Sequence, residues 1–266
     1  MTLDATDDVA VHIPGPVVTV DEPGQLRAFL VTMCSTSIVY VQLHGRRLSR
    51  HGELSLIAIR CYPHKEIHVI DVQALGPETF TAKSVFGLTL RSIFENPRLR
   101  KCFWDVRDAA DAVWAHHGVR LQGVIDLQLF ENACRHCPNV QQTESQTYVR
   151  SLETAIGQDL QLPSKELIYN ARLRQTIASR APSTAFRLRP LDSDTVEFCA
   201  YGIRYLPSLY LVYIRRVTAA WLPKIKEETM RRVNIPLEKA YDPDSPSKAF
   251  GPWGPENAKK AKTLFR

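Results

Sequence analysis

The sequence predicts an α/β protein, a mixed sheet covered by helices. Two observations carry this. Three strand-like runs at 37–43, 53–60 and 66–72 form a meander, and helix and strand patterns then alternate from Leu88 to Cys137. The first two runs meet across the turn region Gly45–Gly52, which suits antiparallel neighbours. Strands separated by helices instead need crossovers and pair in parallel.

The elements follow in order. "PVVTV" is a short extended lead-in, and Asp21–Cys34 carries a capping Asp, an early Pro and a helical apolar pattern. After the meander come a helix in "LTLRSIFENP", a strand in "RKCFW", a helix in "DAADAVWAHHG", a strand in "GVIDL" and a helix in "LQLFENACRHC". Residues from Tyr148 to Met230 read as mainly helical, and no internal repeat is evident. The stretch "YDPDSPSKAFGPWGPENAKKAK" is rich in Pro, Gly and Lys and is expected to lie as a tail or to wrap over the surface. The expected division is a lead-in at 1–20, one domain at 21–232 and a basic tail at 233–266.

Bulk properties exclude several classes. The 266 residues, 44% hydrophobic and 23% charged, have the balance of an ordinary globular chain. The longest apolar runs, such as "LSLIAI" and "LYLVYI", are the size of a strand or core helix. "MTLDATDDVA" has no apolar signal core, and Asp4, Asp7 and Asp8 oppose a basic transit peptide, so cytosol or nucleus is the expected location. Of six cysteines, only Cys134 and Cys137 form a CxxC; a structural zinc site would need a second pair, and none exists.

Charge is clustered. The net +6 includes +4 between Trp221 and Arg266 and a local +5 between Ser164 and Pro190, where Lys165, Arg172, Arg174, Arg180, Arg187 and Arg189 face Glu166 alone. Clustered positive charge favours a polyanionic partner, and the competing account is a solvated basic face.

Six segments, in order, carry a resemblance: "YVQLHGRRLSRHGELSLIAI", "IHVIDVQALG", "FWDVRDAADAVW", "GVIDLQLFENA", "LRPL" and "YGIRYLPSLY". Together they cover about Ser37 to Leu222. The chain resembles the DEDD 3′–5′ exonuclease domain of the ribonuclease D type, in particular its fungal single-domain members. The resemblance implies an RNase H-like fold with a mixed five-stranded sheet flanked by helices. It also implies a cleft in which four carboxylates hold two divalent metals about 3.5–4 Å apart.

At the positions matching those acids, the sequence departs from the family. The first motif, Asp-x-Glu at a strand end, falls on Gln42 and His44. An amide contributes no charge, and an imidazole prefers softer metals than Mg²⁺. The second motif matches at Asp111; the third, Tyr with Asp four residues on, falls on Phe198 and Gly202. One carboxylate against four positive charges cannot assemble the two-metal centre, so no cofactor is expected, with Mg²⁺ or Mn²⁺ only if residual activity exists. A single-metal site from Asp111, Asp108 and His44 is the alternative, with Asp105 and Glu197 as further carboxylates nearby. Their simpler roles are a first-turn helix cap for Asp108, a strand-end turn for Asp105 and a solvated face for Glu197.

Arg46, Arg47 and Arg50 stand beside the emptied motif, with no acid between Gln42 and Glu53, and are the candidate phosphate contacts. The expected function is a degenerate exonuclease domain that binds single-stranded nucleic acid, RNA before DNA, or that serves as an adaptor in an RNA-processing or silencing assembly. The alternatives are a weak, unconventional 3′–5′ exonuclease and a module for protein interaction alone.

Overall fold

In the computed structural model, which describes residues 15–136, 146–180 and 186–254, six strands form one mixed sheet. They are β1 (Val17–Val20), β2 (Ile38–His44), β3 (Leu56–Tyr62), β4 (Ile67–Asp71), β5 (Arg100–Phe103) and β6 (Val124–Asp126). Their order is β1-β4-β3-β2-β5-β6, with β2–β3 and β3–β4 antiparallel and the remaining pairs parallel. The count corrects the expected five. "VVTV" is not only a lead-in, because the edge of β4 leaves backbone groups open and Val17–Val20 pairs with Ile67–Ile70.

The first helix, α1 (Pro23–Thr32), starts one residue later than the Asp cap implied. Glu22 is the N-cap, and the Gln25 side chain accepts from the backbone N–H groups of Asp21 and Glu22. Three short helices, α2 (Val72–Leu75), α3 (Glu78–Thr81) and α4 (Leu90–Phe94), follow β4. Then α5 (Arg107–His117) closes on Gly118, whose left-handed φ of 60° is one that glycine adopts without a Cβ penalty.

The period of two along β2 sorts its side chains between two cores. Val39, Val41 and Leu43 join one with α1, α4 and α5. Ile38 and Tyr40 join the other, with α6 (Leu127–Arg135), α7 (Leu152–Asp159) and α9 (Ser193–Arg216). Gln42 and His44 therefore point toward the α9 side. Between α7 and α9 lies α8 (Ser164–Ala178), and α10 (Leu222–Asn234) follows α9.

A buried ion pair ties α10 to the sheet. Arg232, 1% exposed, donates from Nη1 to Asp126 Oδ2 at 3.0 Å and to Gln128 Oε1 at 2.8 Å. Asp126 also accepts from the backbone N–H groups of Asp105, Val106 and Gln128, so one carboxylate joins the end of β5, the start of α6 and α10. Burial pushes its carboxyl above the usual range, against the pull of Arg232.

The chain beyond α10, expected as a tail, packs on the body as far as Gly254. The Arg107 side chain donates to the Lys248 carbonyl at 2.9 Å, Lys248 pairs with Asp108, Phe250 bridges Tyr148, and Gly251 donates its N–H to the Thr147 carbonyl at 2.8 Å. Residues 255–266 of the expected tail, and Cys137 of the CxxC, lie outside the described residues. No helix among the described residues is long and apolar enough to cross a membrane.

Removing one partner of a buried pair leaves an uncompensated charge. Arg232→Leu should therefore cost about 3–5 kcal/mol in urea unfolding. Asp126→Asn in the same chain should recover part of the loss.

Candidate functional site

Four of the five positions expected to line the cleft are brought together by β2 and α9. Phe198 and Gly202 are four residues apart on α9, hence on one helical face. The Phe198 ring stands edge-on to the His44 ring, centroids 5.8 Å apart. A Cβ built on Gly202 would lie 2.3 Å from Gln42 Oε1 and 2.8 Å from Leu152 Cδ2. Gly202 thus gives the Gln42 amide and Leu152 room to lie against the helix, a reason for glycine that its poor helix propensity alone does not supply.

The site is apolar and short of hydrogen bonds. His44 is 7% exposed; its Nε2 and the Gln42 Oε1 are both buried with no hydrogen-bond partner. Burial lowers the His44 pKa to about 4, although a backbone hydrogen bond at Cys199 pushes the other way, so the ring is neutral at pH 7. Phe186 covers the group, its ring 5.7 Å from His44 and 5.9 Å from Phe198. It does so from a left-handed backbone at φ 64°, unusual for a bulky residue.

Two ion pairs flank Phe186. Arg187 lies 3.6 Å from Glu53, and Arg189 donates to Asp71 Oδ1 at 2.7 Å. Asp71 in turn caps α2 by accepting from Gln73 and Ala74. This cover went unread in the sequence. Its one signal is Arg-x-Arg-Pro at 187–190, where alternate arginines find acids at the ends of neighbouring strands.

Asp111 is engaged elsewhere. Fully buried, it accepts at Oδ2 from the Arg50 backbone N–H and at Oδ1 from Arg50 Nε, both at 2.7 Å. The remaining guanidinium donors reach the carbonyls of Pro236 and Glu238, and the Tyr241 ring lies 5.3 Å from the guanidinium carbon. Arg50 is therefore a half-buried partner of Asp111, its side chain 18% exposed.

The other candidates are also committed. Arg46 pairs with Glu53 at 2.8 Å and Arg47 with Asp244 at 2.9 Å, but both stay well exposed. Asp108 holds Lys248 and Glu197 holds Arg204. Asp105, at φ 56°, accepts from Arg107 Nε at 2.7 Å. Burial would raise the Asp105 carboxyl, yet the hydrogen bonds and charge of Arg107, with Arg232, hold it at about 2. The alternative single-metal set is thus drawn apart: Asp111 to Arg50, Asp108 to Lys248, His44 to two phenyl rings. Among the described residues no three His, Cys, Asp or Glu side chains cluster as metal ligands would.

No protein-family model and no curated protein sequence matches the chain. Solved structures do. Trypanosoma brucei RNase D superposes with a TM-score of 0.69 at 17% identity, covering 90% of this chain and 80% of that one. Its complex with RNA U12 gives 0.64 at 18%, covering 84% and 71%. The Aedes aegypti Nibbler EXO domain gives 0.57 at 16%, covering 82% and 95%. The fold is that of the ribonuclease D-type 3′–5′ exonuclease domain.

On that exonuclease fold, the residues present do not fit a pair of divalent metals. An amide, an imidazole, a phenyl ring and a glycine supply no anionic oxygen, and the Gln42 oxygen is pressed into the space a Gly202 side chain would need. Gln42, His44, Phe198 and Gly202 instead form a packed contact between β2 and α9.

Two outcomes follow. Gly202→Ala should destabilise the chain despite the better helix propensity of alanine, and the penalty should shrink in a Gln42→Ala background. A double-mutant cycle should give a coupling of about 0.5–3 kcal/mol. For His44 the folded pKa lies below the unfolded one, so its contribution is present in full above the ordinary histidine value of 6.5 and is lost as pH falls toward about 4. Between pH 7 and 5 this group should remove about 2 kcal/mol of stability, and His44→Phe should flatten that part of the curve.

Proposed function

We propose that the chain binds single-stranded nucleic acid, RNA before DNA, without metal and without hydrolysing it, as a degenerate exonuclease domain serving an RNA-processing or silencing assembly. One observation carries the reading. The strand end and helix face on which the resemblance places the metal-binding acids do converge, yet they present Gln42, His44, Phe198 and Gly202 under the ring of Phe186. Two-metal hydrolysis needs hard anionic ligands around the scissile phosphate. None stands at these four positions.

A binding role draws support from the net charge of +6 and from Arg46 and Arg47. Their ion pairs are exposed, and such pairs contribute little in water, so a phosphate can exchange for Glu53 or Asp244 at small cost. Arg50 does not share this role, because releasing it would leave Asp111 buried and unpaired.

Two measurements test the proposal. A 3′-labelled single-stranded RNA incubated with the protein and Mg²⁺ or Mn²⁺ should remain full length; trimming that disappears in Asp111→Asn would establish instead an unconventional exonuclease. Binding measured by anisotropy should persist in EDTA and weaken with salt at a slope of about 0.7 per phosphate contact. Arg46→Ala with Arg47→Ala should lower that slope without changing sequence preference. Failure of the wild-type protein to bind would leave the protein-interaction account.

A further inference from the structure

The basic residues read from the sequence at 164–190 fall into two groups in the structure, apart from Arg174, whose guanidinium lies over the Tyr201 ring at 5.9 Å. Arg180, Arg187 and Arg189 are neutralised by Asp192, Glu53 and Asp71. Lys165 and Arg172, on α8, have no carboxylate partner among the described residues, and both are exposed. The single acid of this helix, Glu166, is turned inward, where it accepts from the Tyr205 hydroxyl at 2.5 Å.

The helical period explains the separation. Asn170, Leu173 and Ile177 form the buried stripe of α8, with Asn170 donating to the Tyr205 hydroxyl at 3.1 Å. Lys165, Tyr169 and Arg172 follow at i, i+4 and i+7, which sets them on one outward face about 10 Å long. Ile168 lies in the same arc. Tyr169 is 51% exposed and Ile168 55%, large apolar area left in water between two unneutralised cations. A solvated helix face more commonly mixes acids with bases at such spacings; this one offers cation, aromatic ring, cation.

We infer that the outward face of α8 is the track on which single-stranded RNA docks, Lys165 and Arg172 holding successive phosphates and Tyr169 stacking on a base between them. The chemistry is that of sequence-tolerant single-strand binding, a positive rail with an aromatic platform. The inference rests on the proposed nucleic-acid binding and moves its centre away from the filled cleft. There the arginines already have carboxylate partners, whereas on α8 a phosphate would meet cations with none to displace. An apolar protein patch would cover Ile168 and Tyr169 but leave both cations unpaired, whereas a single strand supplies a phosphate to each and a base to the ring.

The test uses the full chain and a fluorescein-labelled single-stranded RNA of about 12 nucleotides in EDTA, read by anisotropy across a salt series. Lys165→Ala with Arg172→Ala should reduce the salt slope by about 1.4, two phosphate contacts at about 0.7 each. Tyr169→Ala should weaken binding about tenfold with the slope unchanged, and Tyr169→Phe, which keeps the ring, should restore it. All three positions are at the surface, so the circular dichroism and melting of the variants should match the wild type. Wild-type binding that none of these variants alters would overturn the α8 track while leaving nucleic-acid binding intact, and would return the face to a protein partner. No binding by the wild type would overturn both.

Discussion

Arg50 and Asp111 make the contact on which much of the site's surroundings depend, because it joins three segments that local forces leave separate: the β2–β3 loop, α5 and the chain that follows α10. A carboxylate taken entirely out of water is costly unless its oxygens are filled. Both are filled here by one residue, through its backbone N–H and its Nε. The guanidinium then has donors to spare, and these go to the carbonyls of Pro236 and Glu238, where the chain leaves the 3₁₀ turn Ile235–Leu237 that follows α10. The C-terminal segment thus completes the solvation of an ion pair. A loop rich in arginine would otherwise be splayed by its own charge.

The same logic of neutralisation runs around the mouth of the cleft. Glu53 accepts from Arg46 and faces Arg187, Asp71 takes Arg189, and Asp244 takes Arg47. Each pair brings a segment that is distant in sequence onto the β2–β3 and β4–α2 corners. With charge balanced at the rim, the interior can be apolar. His44, Phe186 and Phe198 meet ring to ring, and the two unsatisfied atoms, Gln42 Oε1 and His44 Nε2, are the residual cost of placing polar residues where strand geometry points them inward.

What the sequence made legible follows from how local each signal is. The meander and the β-α alternation are set by periodicity, and the strands of 38–44, 56–62 and 67–71 fall where that periodicity places them. "VVTV" was too short to declare itself a strand; its pairing depends on β4 being present as a template. The convergence of Gln42 with Gly202 and of His44 with Phe198 was legible only through the family resemblance, which places these positions in one cleft. The partner of Asp111 was not, since Arg50 and Asp111 are 61 residues apart and either could have faced solvent. The role of Gly202 was equally hidden, because a glycine in a helix declares only a cost until the neighbour it makes room for is seen.

The positions of the cations carry the last step. In an acid-lined cleft a phosphate can approach only when metal ions overcome the repulsion, so binding and chemistry share one requirement. Replacing acids by neutral residues removes that requirement, but it does not by itself create a phosphate site. Arg50, Arg187 and Arg189, near the cleft, pair with Asp111, Glu53 and Asp71. Cations without a carboxylate partner among the described residues stand on α8, where the one glutamate of the helix is turned inward toward Tyr205. Under the proposed reading, chemistry and attraction for a polyanion are separate properties of this fold: the first would need acids that β2 and α9 do not carry, and the second is assigned to the outward face of α8.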